Sequence, residues 1–219
     1  MTQPEYHIIQ QHYEQRLAEH GPNHRGVDWP NAQDLQTRFE VMLGVVRAGD
    51  EQASLLDLGC GVGLLRDYVQ ASPRYRALQY TGMDISEAMI HQAAARYPEA
   101  SFRVQDILQT PLEGHCADYI VMNGVLTEKL SLSQEAMEKF AHRFLAAAFK
   151  GCRIGMAFNV MNHHVDWRRD DLFHWPLDNC AAFLVRQLSR HVAIRMDYGL
   201  YEYTVYVYKT PCTASRSAP

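Results

Sequence analysis

Cysteine occurs in this chain without being organised. Cys60, Cys116, Cys152, Cys180 and Cys212 are odd in number, scattered and never spaced C-x-x-C, which removes a disulfide framework and a thiolate zinc site from consideration. The adjacent histidines His163 and His164 have no H-x3-H spacing around them, so no metal is expected. Long apolar runs are lacking, and so is a secretory leader; no membrane partner is expected, and the cytoplasm is the default location. Basic charge is not in excess. Against 25 Asp and Glu stand 21 Lys and Arg, a formal net charge of −4, whereas a sequence-independent nucleic-acid binder carries a basic balance. Internal repeats are missing as well. What remains is a chain of 219 residues, 47% hydrophobic, long enough for one globular domain with its own core, expected as a monomer or homodimer.

The chain is organised around residues 55–65. Apolar residues 53–58 read as a buried strand, Gly59, Gly61 and Gly63 follow at alternate positions, and Val62, Leu65 and Val69 continue at helical spacing. A strand, a glycine turn and a helix in this order let a ligand touch the backbone and offer it the unpaired N–H groups of a helix start. The turn departs from the dinucleotide fingerprint G-x-G-x-x-G, because position 64 is Leu. Asp57, at the carboxyl end of the strand, is more telling: a carboxylate repels a pyrophosphate and attracts an ammonium group. Two further strands end in acids. Residues 80–84 close on Asp84, 21 residues beyond Gly63, a spacing that suits a carboxylate on ribose hydroxyls. Residues 102–106 close on Asp106.

With D-x-G-x-G-x-G at 57–63 and acids ending the next two strands, the chain resembles the class I S-adenosylmethionine-dependent methyltransferases over about residues 53–209. The resemblance implies an α/β fold: a Rossmann-like three-layer sandwich whose seven-stranded, mostly parallel sheet has the order 3-2-1-4-5-7-6 and ends in an antiparallel C-terminal hairpin. It implies S-adenosylmethionine as cofactor and S-adenosylhomocysteine as product. It puts Asp57, Gly59, Cys60, Gly61, Ile85 and Ile107 against the cofactor, Asp84 at the ribose, Asp106 at the adenine amino group, and the Asn123 carbonyl at the ammonium group. Family members that methylate planar amino nitrogens often carry [DN]-P-P-[YF] after strand four; Asn123-Gly124-Val125-Leu126 stands here, which counts against adenine-type amino methylation. Residues 155–175 and 189–209 look like a small bacterial branch without a generally assigned acceptor, so the resemblance gives the reaction more firmly than the substrate.

In chain order, Tyr6, Ile9, Tyr13 and Leu17 predict a helix over 2–20 ended by Gly21-Pro22, and Leu35, Phe39, Met42 and Val46 a second from Asn31 closed by Gly49-Asp50. Residues 1–50 are read as an N-terminal helical cap, 51–210 as the cofactor-binding domain and 211–219 as a tail. Between them the chain alternates: helix 62–70, strand 79–84, a helix capped by Ser86 to Tyr97, strands 101–105 and 118–123. Helix 133–150 follows, with Ala136, Phe140, Phe144 and Ala147 on one face, then strand 153–160. Asp178 is read as the cap of a helix to Ser189, and 191–198 and 202–209 as antiparallel strands.

Ligands of open α/β sheets sit beyond the carboxyl ends of the strands. The loop after strand five, residues 159–175, holds three histidines, three acids, two arginines and two tryptophans, the content of a functional loop or of a surface loop with local ion pairs. For a hydroxyl acceptor His163 is the first candidate base, with His24 and His174 behind it. A carboxylate acceptor needs no base, and Arg25, Arg168 or Arg169 would then hold an anionic substrate. Arg38 and Arg25 suit a carboxylate clamp, Arg38 for the methionine end of the cofactor; Trp29 suits a lid aromatic, and Asn159 completes the substrate set. Each has a plainer reading, as a solvated side chain or a loop anchor, and Tyr6 and Tyr13 read as core. The expected function is methyl transfer to a small-molecule acceptor through a hydroxyl, carboxylate or amine. The alternatives are an RNA or protein methyltransferase, a non-catalytic S-adenosylmethionine-binding module, and an NAD-dependent oxidoreductase.

Overall fold

A computed structural model describes residues 4–212. The expected start of the first helix, residues 2–3, and the tail from 213 lie outside the described residues. Helices α1 (His7–His20) and α2 (Ala32–Leu43) precede β1 (Ser54–Leu58), α3 (Leu64–Ala71), β2 (Gln79–Asp84), α4 (Glu87–Arg96) and β3 (Ser101–Val104). Then come β4 (Ala117–Met122), α5 (Gln134–Gly151), β5 (Cys152–Asn162), the short β6 (His174–Trp175), α6 (Leu177–Phe183), β7 (Val192–Arg195) and β8 (Glu202–Tyr208). A π-helical turn, Leu184–Leu188, continues α6. The sheet runs β3-β2-β1-β4-β5-β8-β7, with β6 added beside β5. Strands β3 to β5 along this path are parallel, while β8 runs antiparallel to both β5 and β7. Leaving β6 aside, this is the expected order 3-2-1-4-5-7-6.

The sheet is central because its strands are apolar on both faces. Leu56, Ile120, Met122 and Phe158 point to one side, against Met137, Ala141 and Leu145 of α5. Leu55, Tyr119, Val121 and Ala157 point to the other, against Phe39 and Met42 of α2 and Leu65 and Val69 of α3. Each fully buried aliphatic or Phe side chain contributes about 1.5–3 kcal/mol. Helix starts are fixed by local chemistry: Asn31 accepts N–H bonds from Gln33 and Asp34, Ser86 from Met89, and Ser133 from Ala136.

The short β6 is absent from the reading of the sequence, and three helices differ from it in detail. The buried stripe of α5 is Met137, Ala141, Leu145 and Ala148; Phe140 and Phe144, one residue round the helix, are only partly buried. Both stripes repeat at helical spacing, so periodicity alone could not choose between them. Pro176 rather than Asp178 precedes α6, and Asp178 sits in its first turn, where its charge still favours the helix dipole. The second helix ends at Leu43, with Gly44 at its C-cap, before Gly49 is reached.

Candidate cofactor cleft

The carboxyl ends of β1, β2, β3 and β4 converge on a cleft whose empty space, with the open solvent at its mouth, is about 1140 Å³. The turn after β1 takes positive φ at Gly59, Gly61 and Gly63 (80°, 52° and 79°). At Gly59 a Cβ would also lie 2.3 Å from a methyl of Val125, so no larger residue fits. The Asp84 carboxylate accepts the N–H of Gly61 at 2.8 Å and of Ser86 at 2.9 Å, tying the glycine turn to the end of β2. Burial pushes the Asp84 carboxyl above the usual carboxylate range against the pull of these N–H groups. Asp57 is buried and accepts the Tyr80 hydroxyl at 2.7 Å. Burial drives its pKa up to about 7; Tyr80 opposes the rise and the charge of Asp84 adds to it. Asp106 accepts the hydroxyl of Tyr6 at 2.7 Å and the N–H of Leu108 at 2.9 Å. Asn123 Oδ1 is buried with no hydrogen-bond partner among the described residues, an acceptor in the cleft wall that a ligand N–H would satisfy.

Helix α1 lies across the mouth. Tyr6 reaches Asp106, Glu14 accepts the Ser86 hydroxyl at 2.7 Å, and the Tyr13 hydroxyl stands 3.4 Å from the Gly124 carbonyl. Trp29 closes the end beyond Asn123. A Cβ on Gly124 (φ 83°) would lie 2.7 Å from its ring, and the Arg38 guanidinium stacks on it 4.0 Å from the centroid. Arg38 Nε donates to both carboxylate oxygens of Glu202 at 3.0 Å. Asn159 donates to the same carboxylate at 3.0 Å and accepts the N–H of Gly124 at 2.7 Å. Glu202 is 1% exposed; burial raises its pKa, and Arg38 and Asn159 pull it back. A buried network therefore joins β5, β8, α2 and the loop after β4 behind Trp29.

Every expected cofactor contact except Arg38 lines the cleft, and so does Trp29. Arg38 and Asn159 stand behind the wall, committed to Glu202. Arg25 is exposed on its loop, and the Nδ1 of His24 is bonded to the Trp29 carbonyl at 2.7 Å. His163, Arg168 and His174 line a separate, shallower depression. Arg168 is bonded to the His163 carbonyl at 3.0 Å, His174 Nδ1 to the Asn162 carbonyl at 2.7 Å, and burial and the neighbouring Arg168 push the His163 pKa down.

The cause is the path of the loop after β5. Phe173 N–H bonds to the Thr127 carbonyl at 2.7 Å, and the N–H groups of Lys129 and Leu130 to the Asp171 carbonyl at 2.8 Å. The segment zips onto the loop after β4 and buries Phe173 and Trp175 completely. Much of the aromatic content that marked it as functional is therefore core. Conversely, Tyr6, Tyr13, Phe140 and Phe144 line the cleft. The second apolar stripe of α5 was the signal for the two phenylalanines; for Glu202, one residue in an alternating strand, the sequence carries none.

A cleft of this kind, with acids at three strand ends and a glycine turn over a helix start, is built for a nucleoside that carries positive charge. On this strand order it defines the class I S-adenosylmethionine-dependent methyltransferases. The comparisons with known proteins agree. Residues 55–148 match a family model described as a methyltransferase domain. Rv1506c of Mycobacterium tuberculosis, named as a methyltransferase, is 35% identical over 169 residues, covering 75% of this chain and 98% of the relative. The chain belongs to this family and is an S-adenosylmethionine-dependent methyltransferase. Trans-aconitate 2-methyltransferase of an Enterobacter species is 38% identical over 104 residues, 45% of this chain and 40% of that protein. Among solved structures, magnesium protoporphyrin IX methyltransferase of Synechocystis with bound S-adenosylmethionine superposes with a TM-score of 0.67 at 17% identity, over 95% of this chain and 99% of the other. A TehB-like methyltransferase of Corynebacterium glutamicum gives 0.59 at 16% identity, over 91% and 100%. These two share the fold.

Proposed function

We propose that the protein methylates a small molecule held inside the cleft under α1. The observation that carries this reading is the roof: α1 and its N-cap Tyr6 meet three strand-end loops through Tyr6, Tyr13 and Glu14, so the acids look into a covered chamber and not onto an open docking face. Residues 7–20 act as a lid that opens for exchange.

Bound S-adenosylmethionine supplies a methyl group already activated on a sulfonium. The chain holds it: Asp84 at the ribose hydroxyls, Asp106 at the adenine amino group, Asp57 and Asn123 toward the ammonium, and the start of α3 toward the carboxylate. Among the described residues no histidine lines the cleft. The Tyr13 hydroxyl, its pKa pushed up by burial, stays a proton donor. Catalysis by this chain is thus alignment of donor and acceptor, an effect of up to about 7–11 kcal/mol, for an acceptor atom that is nucleophilic without a histidine base.

Methyl-labelled S-adenosylmethionine incubated with the enzyme and a size-fractionated cell extract tests this. Label in the small-metabolite fraction is expected. Label in a fraction cleared by nuclease or protease would replace the reading with an RNA or protein acceptor.

A further inference from the structure

The charge of the cleft is one-sided. Among the described residues, no Lys, Arg or His side chain lines it, while Asp57, Asp84 and Asp106 do. The cations nearby are spent elsewhere. Arg38 is fixed on the buried Glu202 and faces the back of Trp29, Arg25 points from an exposed loop, and His7 stands at the adenine end, 3.8 Å from Asp106. Beside Asn123 the wall is aromatic, with Trp29 and Tyr13 both against Gly124, and Leu35, Phe39, Val27 and Val125 are further apolar lining.

We infer that the acceptor is a flat, largely apolar molecule without an anionic group, seated against Trp29 at the end of the cleft beyond Asn123. The inference rests on reading the cleft as the S-adenosylmethionine site. An anion there would lose its water, meet no cation and face carboxylates. An uncharged ring would exchange water for the Trp29 face at no such cost. The Glu202–Arg38 pair serves this selectivity by holding the closest guanidinium behind the wall. Substrates of the trans-aconitate type are accordingly excluded, despite the partial sequence likeness to an enzyme named for one.

The test uses the full chain saturated with S-adenosylhomocysteine, whose own binding is measured first by calorimetry. Failure at that step refutes the cofactor reading itself. Two probes are then titrated: quinoline, flat and uncharged, and trans-aconitate, a tricarboxylate. Quinoline is expected to bind the complex saturably; Trp29→Ala weakens it at least about tenfold and Trp29→Phe recovers much of the loss, with S-adenosylhomocysteine affinity held within about threefold in both variants. Trans-aconitate shows no binding up to about 10 mM, and no methylation when S-adenosylmethionine takes the place of S-adenosylhomocysteine. Methylation or saturable binding of trans-aconitate, absence of quinoline binding, or quinoline binding indifferent to Trp29 would overturn the inference.

Discussion

At the scale of single residues the chemistry rests on carboxylates with different surroundings. Asp57 has the most legible consequence. Its pKa near 7 in the free protein means that it is half protonated at neutrality, while a cationic ligand selects the carboxylate. Binding therefore releases a proton, and affinity rises with pH. S-adenosylhomocysteine is expected to bind about tenfold more tightly at pH 8 than at pH 6, following simple linkage. Calorimetry across that range checks the slope, which Asp57→Asn should flatten. Glu202 is a second case. Glu202→Gln keeps the shape but leaves the Arg38 guanidinium unpaired beneath Trp29, and breaking a buried pair costs about 3–5 kcal/mol. Urea unfolding of the variant measures this; a shift below about 1 kcal/mol would mean that solvent reaches the pair.

At the scale of elements, helix starts and ends do the placing. Ser86 caps α4 through the Met89 N–H at 3.2 Å and also holds Glu14 of α1. Ser86→Ala is expected to cost about 0.5–2 kcal/mol, a fall in Tm of roughly 2–4 °C per kcal/mol in a chain of this size, readable by scanning calorimetry. Much of this level was legible beforehand. The cap Ser86, the span of β2, the strand-end acids and the hairpin of β7 and β8 follow from local chemistry and period-two alternation. What escaped was decided by long-range packing. The loop after β5 reads as a site because polar and aromatic residues crowd there, yet β6 pairing with β5 turns Trp175 inward and leaves Trp167, 58% exposed, outside. Phe140 and Phe144 became cleft wall because α5 presents its neighbouring stripe to the sheet. Tyr6 and Tyr13 look like core by spacing; only the fold shows their hydroxyls meeting Asp106 and Gly124.

At the scale of the molecule, a parallel sheet delivers the acids to one edge, and the segment before β1 returns to roof them. If α1 is a lid, S-adenosylhomocysteine should slow amide hydrogen exchange across His7–His20 more than across α5. Equal protection in both would mark α1 as a fixed wall instead. No helix among the described residues is long and apolar enough to cross a membrane, and none of them forms a cluster of three or more metal-ligating side chains. Among the described residues, acids, glycines and the unpartnered Asn123 Oδ1 meet in the cleft. The most direct measurement is calorimetric titration of S-adenosylhomocysteine into the wild type and into Asp84→Ala. Tight binding by the wild type and a loss of at least about thirtyfold, ~2 kcal/mol, in the variant are predicted. Equal affinity in the two proteins would contradict the assignment of the strand-end acids to the cofactor.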